Sequence, residues 1–209
     1  MSVPLILAVA VVVLAVVVGV VIGRQKDPQR RAGTLVKTGL AFMTVFTLLA
    51  GAFIGGYAMD EPGGQAGPMM ILSWAAPTLV LAALAWFWPV GSAPLLVALT
   101  ALLVAVCVWF AVDPATARDI QNANGPVLAV GVVALAFPAA VLGVKRTRTA
   151  GWLLLALGAV PLLITVLARS GPAASLAAAS VVPLVTGVLY LVAGRLQGPR
   201  VAPGSAHIA

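Results

Sequence analysis

Seven long apolar stretches follow one another along this chain, and that alternation limits the fold more than any other feature. At a rise of about 1.5 Å per residue, a helix of about 20 residues crosses the hydrocarbon core of a bilayer. The stretches run over 3 to 23, 35 to 58, 69 to 88, 94 to 112, 126 to 144, 151 to 168 and 174 to 194. The sixth is the shortest, and Pro161 interrupts it. A soluble domain carries about a quarter charged residues, whereas here 8% are charged and 62% hydrophobic. The expected fold is an all-α integral membrane protein with seven transmembrane helices in one domain, residues 1–196. Residues 197–209 are expected to form a short flexible cytoplasmic tail.

Lys and Arg are retained on the cytoplasmic side of membranes, so they set the orientation. Arg24, Lys26, Arg30, Arg31 and Lys37 follow the first stretch, Lys145, Arg146 and Arg148 join the fifth to the sixth, and Arg195 and Arg200 end the chain. Arg118 and Arg169 alone fall on the other side. This predicts an external N-terminus and a cytoplasmic C-terminus. The acids divide the opposite way, with Asp60, Glu61, Asp113 and Asp119 outside and Asp27 inside. The basic face, in particular Arg24, Lys26, Arg30, Arg31, Lys145, Arg146 and Arg148, is expected to meet anionic lipid headgroups, at about 1 kcal/mol per residue. Nucleic acid is not expected as a partner, because these residues lie in short loops without interleaved aromatics. Trp86, Trp88, Trp109 and Trp152 fall near span ends as interfacial anchors, and Trp74 lies deeper as a packing residue. No basic residue precedes the first stretch, which reads as a retained helix and not a signal peptide. Codon-driven enrichment in Ala, Val, Leu, Gly, Pro and Arg points to the cytoplasmic membrane of a bacterium with GC-rich DNA.

Each outside loop ends in the same dipeptide, at Gly67-Pro68, Gly125-Pro126 and Gly171-Pro172, and each precedes an inward-running helix. Pro suits a first helical turn, where its missing N–H has no partner anyway. These helices, the third, fifth and seventh, then carry Pro77, Pro138 and Pro183 inside the membrane, where Pro removes a backbone hydrogen bond and kinks the helix. YAMDEP (57 to 62) and FAVDP (110 to 114) also match, as do RAGTL from Arg31 and TAGWL from Thr149. Two repeat schemes fit: three hairpins after a lone first helix, or two three-helix units joined by the fourth span. The second scheme resembles the topology of the SWEET and semiSWEET sugar transporters, with the same terminal orientation. Their membrane Pro-Gln pair is absent, since Pro28-Gln29 lies in the basic loop. Gly19 with Gly23 and Gly51 with Gly55 have the spacing that lets helix backbones approach closely.

No charged residue lies in the middle of a span, which removes carboxylate or histidine proton relays and a Schiff-base lysine in the seventh. The single cysteine, Cys107, and single histidine, His207, exclude an internal disulfide, a haem held by paired histidines, a three-histidine zinc centre and a Ser-His dyad. No catalytic residue, cofactor or enzyme activity is therefore expected. The span hydroxyls are expected to bond between helices or back to a carbonyl. Beside proline-freed carbonyls, Thr78 and Thr186 with Pro77, Pro138 and Pro183 could line a path for an uncharged solute. Outside, Asp60, Glu61, Asp113 and Asp119 supply oxygens that suit a hard cation but lack EF-hand spacing, and Asp-Pro and Asp-Glu-Pro-Gly-Gly equally read as helix-ending turns. The leading functional expectation is a non-enzymatic accessory or scaffold subunit, with a membrane-protein partner or a second copy as its contact. A facilitator of a small neutral or amphipathic solute is the alternative, and an outward acidic cation site a minor third.

Overall fold

The computed structural model describes residues 27–60, 66–168 and 173–198. Seven helices occupy them, and no strand occurs among the described residues: α1 (Pro28–Asp60), α2 (Ala66–Phe87), α3 (Pro89–Val112), α4 (Pro114–Asn124), α5 (Val127–Gly143), α6 (Thr147–Ala168) and α7 (Ala173–Leu196). The expected first span over 3 to 23, Arg24, Lys26, Glu61 and the tail beyond 198 lie outside the described residues. So do Gly19, Gly23, Gly171 and Pro172. Among the described residues, four helices are long and apolar enough to cross a membrane: Pro28–Gly56 of α1, Pro89–Val112, Thr147–Ile164 and Leu176–Leu196 of α7. The apolar part of α2, Ile71–Phe87, is shorter.

Two helices begin where a reading of apolar runs alone does not place them. Asp27 precedes Pro28 and accepts from Gln29 N at 2.9 Å, so α1 starts well before the apolar run at 35. Asp113 precedes Pro114 and accepts from Thr116 N at 3.2 Å, which starts α4 inside a stretch expected to be a loop. In both places the carboxylate satisfies an orphan N–H of the first turn and Pro occupies a position that needs no N–H. Asp-Pro thus opens a helix here as well as closing one. Gly125, at φ +73°, ends α4 in a conformation that side chains rarely adopt, and α5 then leaves at 78° to it. Pro77, Pro94, Pro138, Pro161 and Pro183 all lie inside continuous helices.

Helices α6 and α7 pack against each other extensively. A Cβ on Gly187 would stand 3.0 Å from both Gly151 O and Leu155 N, and one on Gly158 would stand 3.0 Å from Ser180 O. Small residues thus recur every second turn along both helices, at Gly151 and Gly158 and at Ser180, Gly187 and Gly194, and the two backbones touch. Gly51 and Gly55 do the same for α1, taking the Trp74 ring and Ile71 of α2. Their partner helix is therefore in the same chain.

A second junction ties α1, α5 and α7 together. The Tyr190 ring is fully buried between two glycines: a Cβ on Gly39 would lie 2.7 Å from Cε1, and one on Gly143 would lie 1.9 Å from Cε2. Helix α5 ends at Gly143, so the Ala140 carbonyl is among those left without an i+4 donor. The Tyr190 hydroxyl donates to it at 2.9 Å.

These contacts give the bundle two distinct ends. Lys145 Nζ donates to the Trp86 carbonyl in the last turn of α2 and lies 5.4 Å from the centroid of that indole ring. Gly194 packs on the Arg148 stem. The start of α1, the ends of α2, α5 and α7 and the starts of α3 and α6 therefore share one end, which holds Arg30, Arg31, Lys145, Arg146, Arg148 and Arg195. Asp113, Arg118 and Asp119 belong to the opposite end.

Large apolar side chains are exposed on the outside of the bundle while an apolar core with a few hydroxyls lies inside. Phe53 is 76% exposed and Leu48 68%, whereas Ser180 and Thr186 are fully buried. Gly143→Ala should lower the unfolding midpoint in detergent, at a cost of about 1–3 kcal/mol, because the new methyl overlaps a ring already fixed on both faces. Gly33→Ala, where nothing lies within 4 Å, should leave that midpoint unchanged or raise it.

Candidate functional site

Four hydroxyls are consumed within their own helix. Thr44 donates to Leu40 O at 2.8 Å, Thr78 to Trp74 O at 2.8 Å, Thr100 to Leu96 O at 2.7 Å and Thr147 to Gly143 O at 3.0 Å. This back-bonding follows from placing a hydroxyl one turn beyond a carbonyl where no water competes. The hydroxyls of Thr47, Ser92, Ser180 and Thr186 are buried and have no protein partner, and the same holds for the indole N–H of Trp74.

The five residues expected to line a solute path do not share one environment. Pro138, Pro183 and Thr186 are fully buried, and Thr186 packs near Gly39 beside the Tyr190 slot. Thr78 is buried but already bonded to its own helix, and Pro77 is exposed on the outside of α2. The residues most central to packing, Gly39, Gly143 and Tyr190, are far apart in sequence, and no local spacing marks them as neighbours. The seven-residue recurrence of small residues in α6 and α7 was a usable signal for the other junction.

Of the four acids expected outside, the side chains of Asp60 and Glu61 lie outside the described residues. Asp113 is committed to capping α4. Hydrogen bonds from the Thr116 side chain, and then from its backbone N–H, hold the Asp113 carboxyl below the usual aspartate range. Asp119 is exposed on α4, whose Ala117 and Ile120 instead pack inward against Cys107, Phe110, Leu128 and Val132. Among the described residues no group of three His, Cys, Asp or Glu side chains is placed to hold a metal ion.

The basic end presents exposed guanidinium and ammonium groups with exposed indoles. Trp86, Trp88 and Trp152 are exposed there, and Trp109 is exposed toward the other end. Arg30 is paired with Asp27 at 3.9 Å, and this ion pair is itself exposed. The buried Nε of Arg31 has no partner.

No protein-family model, curated protein or solved structure matches the chain.

A carboxyl held below its unfolded value stabilises the fold above that value and loses its contribution as pH falls through the folded one. Protection against amide exchange at the start of α4, measured relative to the intrinsic rate at each pH, should therefore fall as pH drops below about 4. Asp113→Ala should give fast exchange there at neutral pH, and Asp113→Asn, which can still cap, should stay protected.

Proposed function

We propose that this protein is a seven-span membrane protein with an external N-terminus and a cytoplasmic basic end. In this reading it works without catalysis, as an accessory or scaffold subunit that contacts its partner through helix faces. The observation that carries the reading is the outer face of α1. Val45, Leu48, Leu49 and Phe53 are exposed along it, and a Cβ on Gly56 would meet no atom within 4 Å. The inward glycines of the same helix are filled by Trp74, Ile71 and Tyr190, and its outer face is uncovered among the described residues, which supports an intermolecular contact there.

The orientation rests on the gathering of cations and exposed indoles at one end, which suits the headgroups of an anionic cytoplasmic leaflet. Helix α4 fits the opposite interface, with Ala117 buried, Arg118 and Asp119 exposed and a steep angle to α5. The internal duplication, as hairpins or as two three-helix units, is part of the same proposal and is supported by the sequence matches alone.

The reading is tested by photo-crosslinking in native membranes. A photoreactive residue at Phe53 should give a discrete protein adduct, with a second copy or a distinct subunit, and one at Val97 of α3 should give only lipid. Lipid adducts alone at both positions would remove the scaffold role.

A further inference from the structure

Of the six buried polar side-chain atoms without a protein partner among the described residues, those of Thr47, Trp74 and Ser180 fall at one depth of the bundle. From the Gly39 contact with Tyr190 and Thr186, about two turns along antiparallel α1 and α7 bring Thr47 level with Ser180. Gly51 against Trp74 and Gly55 against Ile71 set the register of α2, which places Thr78 in the same layer. Gly131 against Leu103 sets α3 and places Thr100 there too. Prolines of α5, α6 and α7 fall at the same depth. Pro138, Pro161 and Pro183 have no N–H, so the carbonyls of Ala134, Leu157 and Ala179 lose their intrahelical donors. Gly158, against Leu184 and Ser180 O, places the Leu157 carbonyl beside the Ala179 level. Within about one helical turn of depth, the bundle thus collects the Thr47 and Ser180 hydroxyls and the Trp74 N–H, all buried without a protein partner, with three carbonyls lacking their usual donors.

Buried polar groups in folded proteins find partners, and where the protein supplies none an ordered small molecule does. We infer that this layer is a binding site for water or an equally small neutral molecule carrying both hydrogen-bond donors and acceptors. The carbonyls require donors, and the indole N–H requires an acceptor. The hydroxyls can serve as either. No Asp, Glu, Lys or Arg falls in the layer, which favours a neutral occupant over an ion. The site lies inside the bundle and is independent of the scaffold reading, which concerns the outer face of α1.

Radiolytic hydroxyl-radical labelling tests it, because radicals formed from trapped water oxidise side chains that bulk solvent cannot reach. In the purified full chain in lipid nanodiscs, Met43, fully buried and about one turn from the layer, should be oxidised together with Trp74. The Thr47→Val, Ser180→Ala double variant should lose both labels while exposed Trp88 keeps its own. Ser180→Ala alone, the milder change, should weaken them if the double variant does not fold. Unlabelled Met43 and Trp74 in the natural sequence, or labels unchanged in a folded variant, would overturn the site. Added glycerol separates the occupants: because glycerol also scavenges bulk radicals, the Met43 label is read relative to that of exposed Trp88, and a ratio that falls as glycerol rises sustains a site open to small neutral solutes, whereas a ratio that does not fall sustains a site for water alone.

Discussion

The Tyr190 ring, held between Gly39 and Gly143 with its hydroxyl on the Ala140 carbonyl, joins three helices that are remote in sequence. One side chain fills the space left by two missing Cβ atoms and satisfies a carbonyl stranded where α5 stops. A buried hydrogen bond of this kind contributes about 0.5–1.5 kcal/mol net. The ring packing adds to that, because apolar attraction between helices in lipid comes from close contact and not from expelling water. With α5 fixed at this junction, the turn into α6 is positioned so that Lys145 reaches the end of α2 and Arg148 lies under Gly194. The basic end of the bundle is thus a consequence of the wedge as well as of the charge pattern.

The same logic governs the rest of the interior. Where no apolar drive pulls helices together, small residues bring backbones into contact, as Gly151, Gly158 and Gly187 do between α6 and α7. Hydroxyls turn inward or bond to their own helix, and large apolar side chains such as Phe53, Leu79 and Val112 face outward. The lack of charged residues in the middle of the spans then has a physical reading. The polar groups present at that depth are neutral, so what they recognise is a hydrogen-bonding pattern and not a charge.

The apolar runs made α3, α6 and α7 legible from sequence, because a stretch of about 20 apolar residues has few other solutions. Helix α4 was not legible in that way. PATARDIQNAN is polar and follows Asp-Pro, which reads as a stop unless the capping role of Asp113 toward Thr116 is considered. The inward use of Gly51 and Gly55 was visible as spacing, but their partner was not, since spacing names a face and not its neighbour. The side to which a proline turns depends on helix rotation, which is set by contacts such as Trp74 on Gly51, so the exposure of Pro77 beside buried Thr78 is not legible from position along the chain. The slot for Tyr190 needed three distant residues at once, and nothing local encodes it.

The wedge is tested most directly by a double-mutant cycle between Gly143→Ala and Tyr190→Ala, read as unfolding free energy in detergent. If the new methyl is harmful because it meets the ring, Gly143→Ala should cost little once Tyr190→Ala has removed that ring, and the two losses should be strongly non-additive. Simple additivity would contradict the central place of the Tyr190 junction in holding the bundle together.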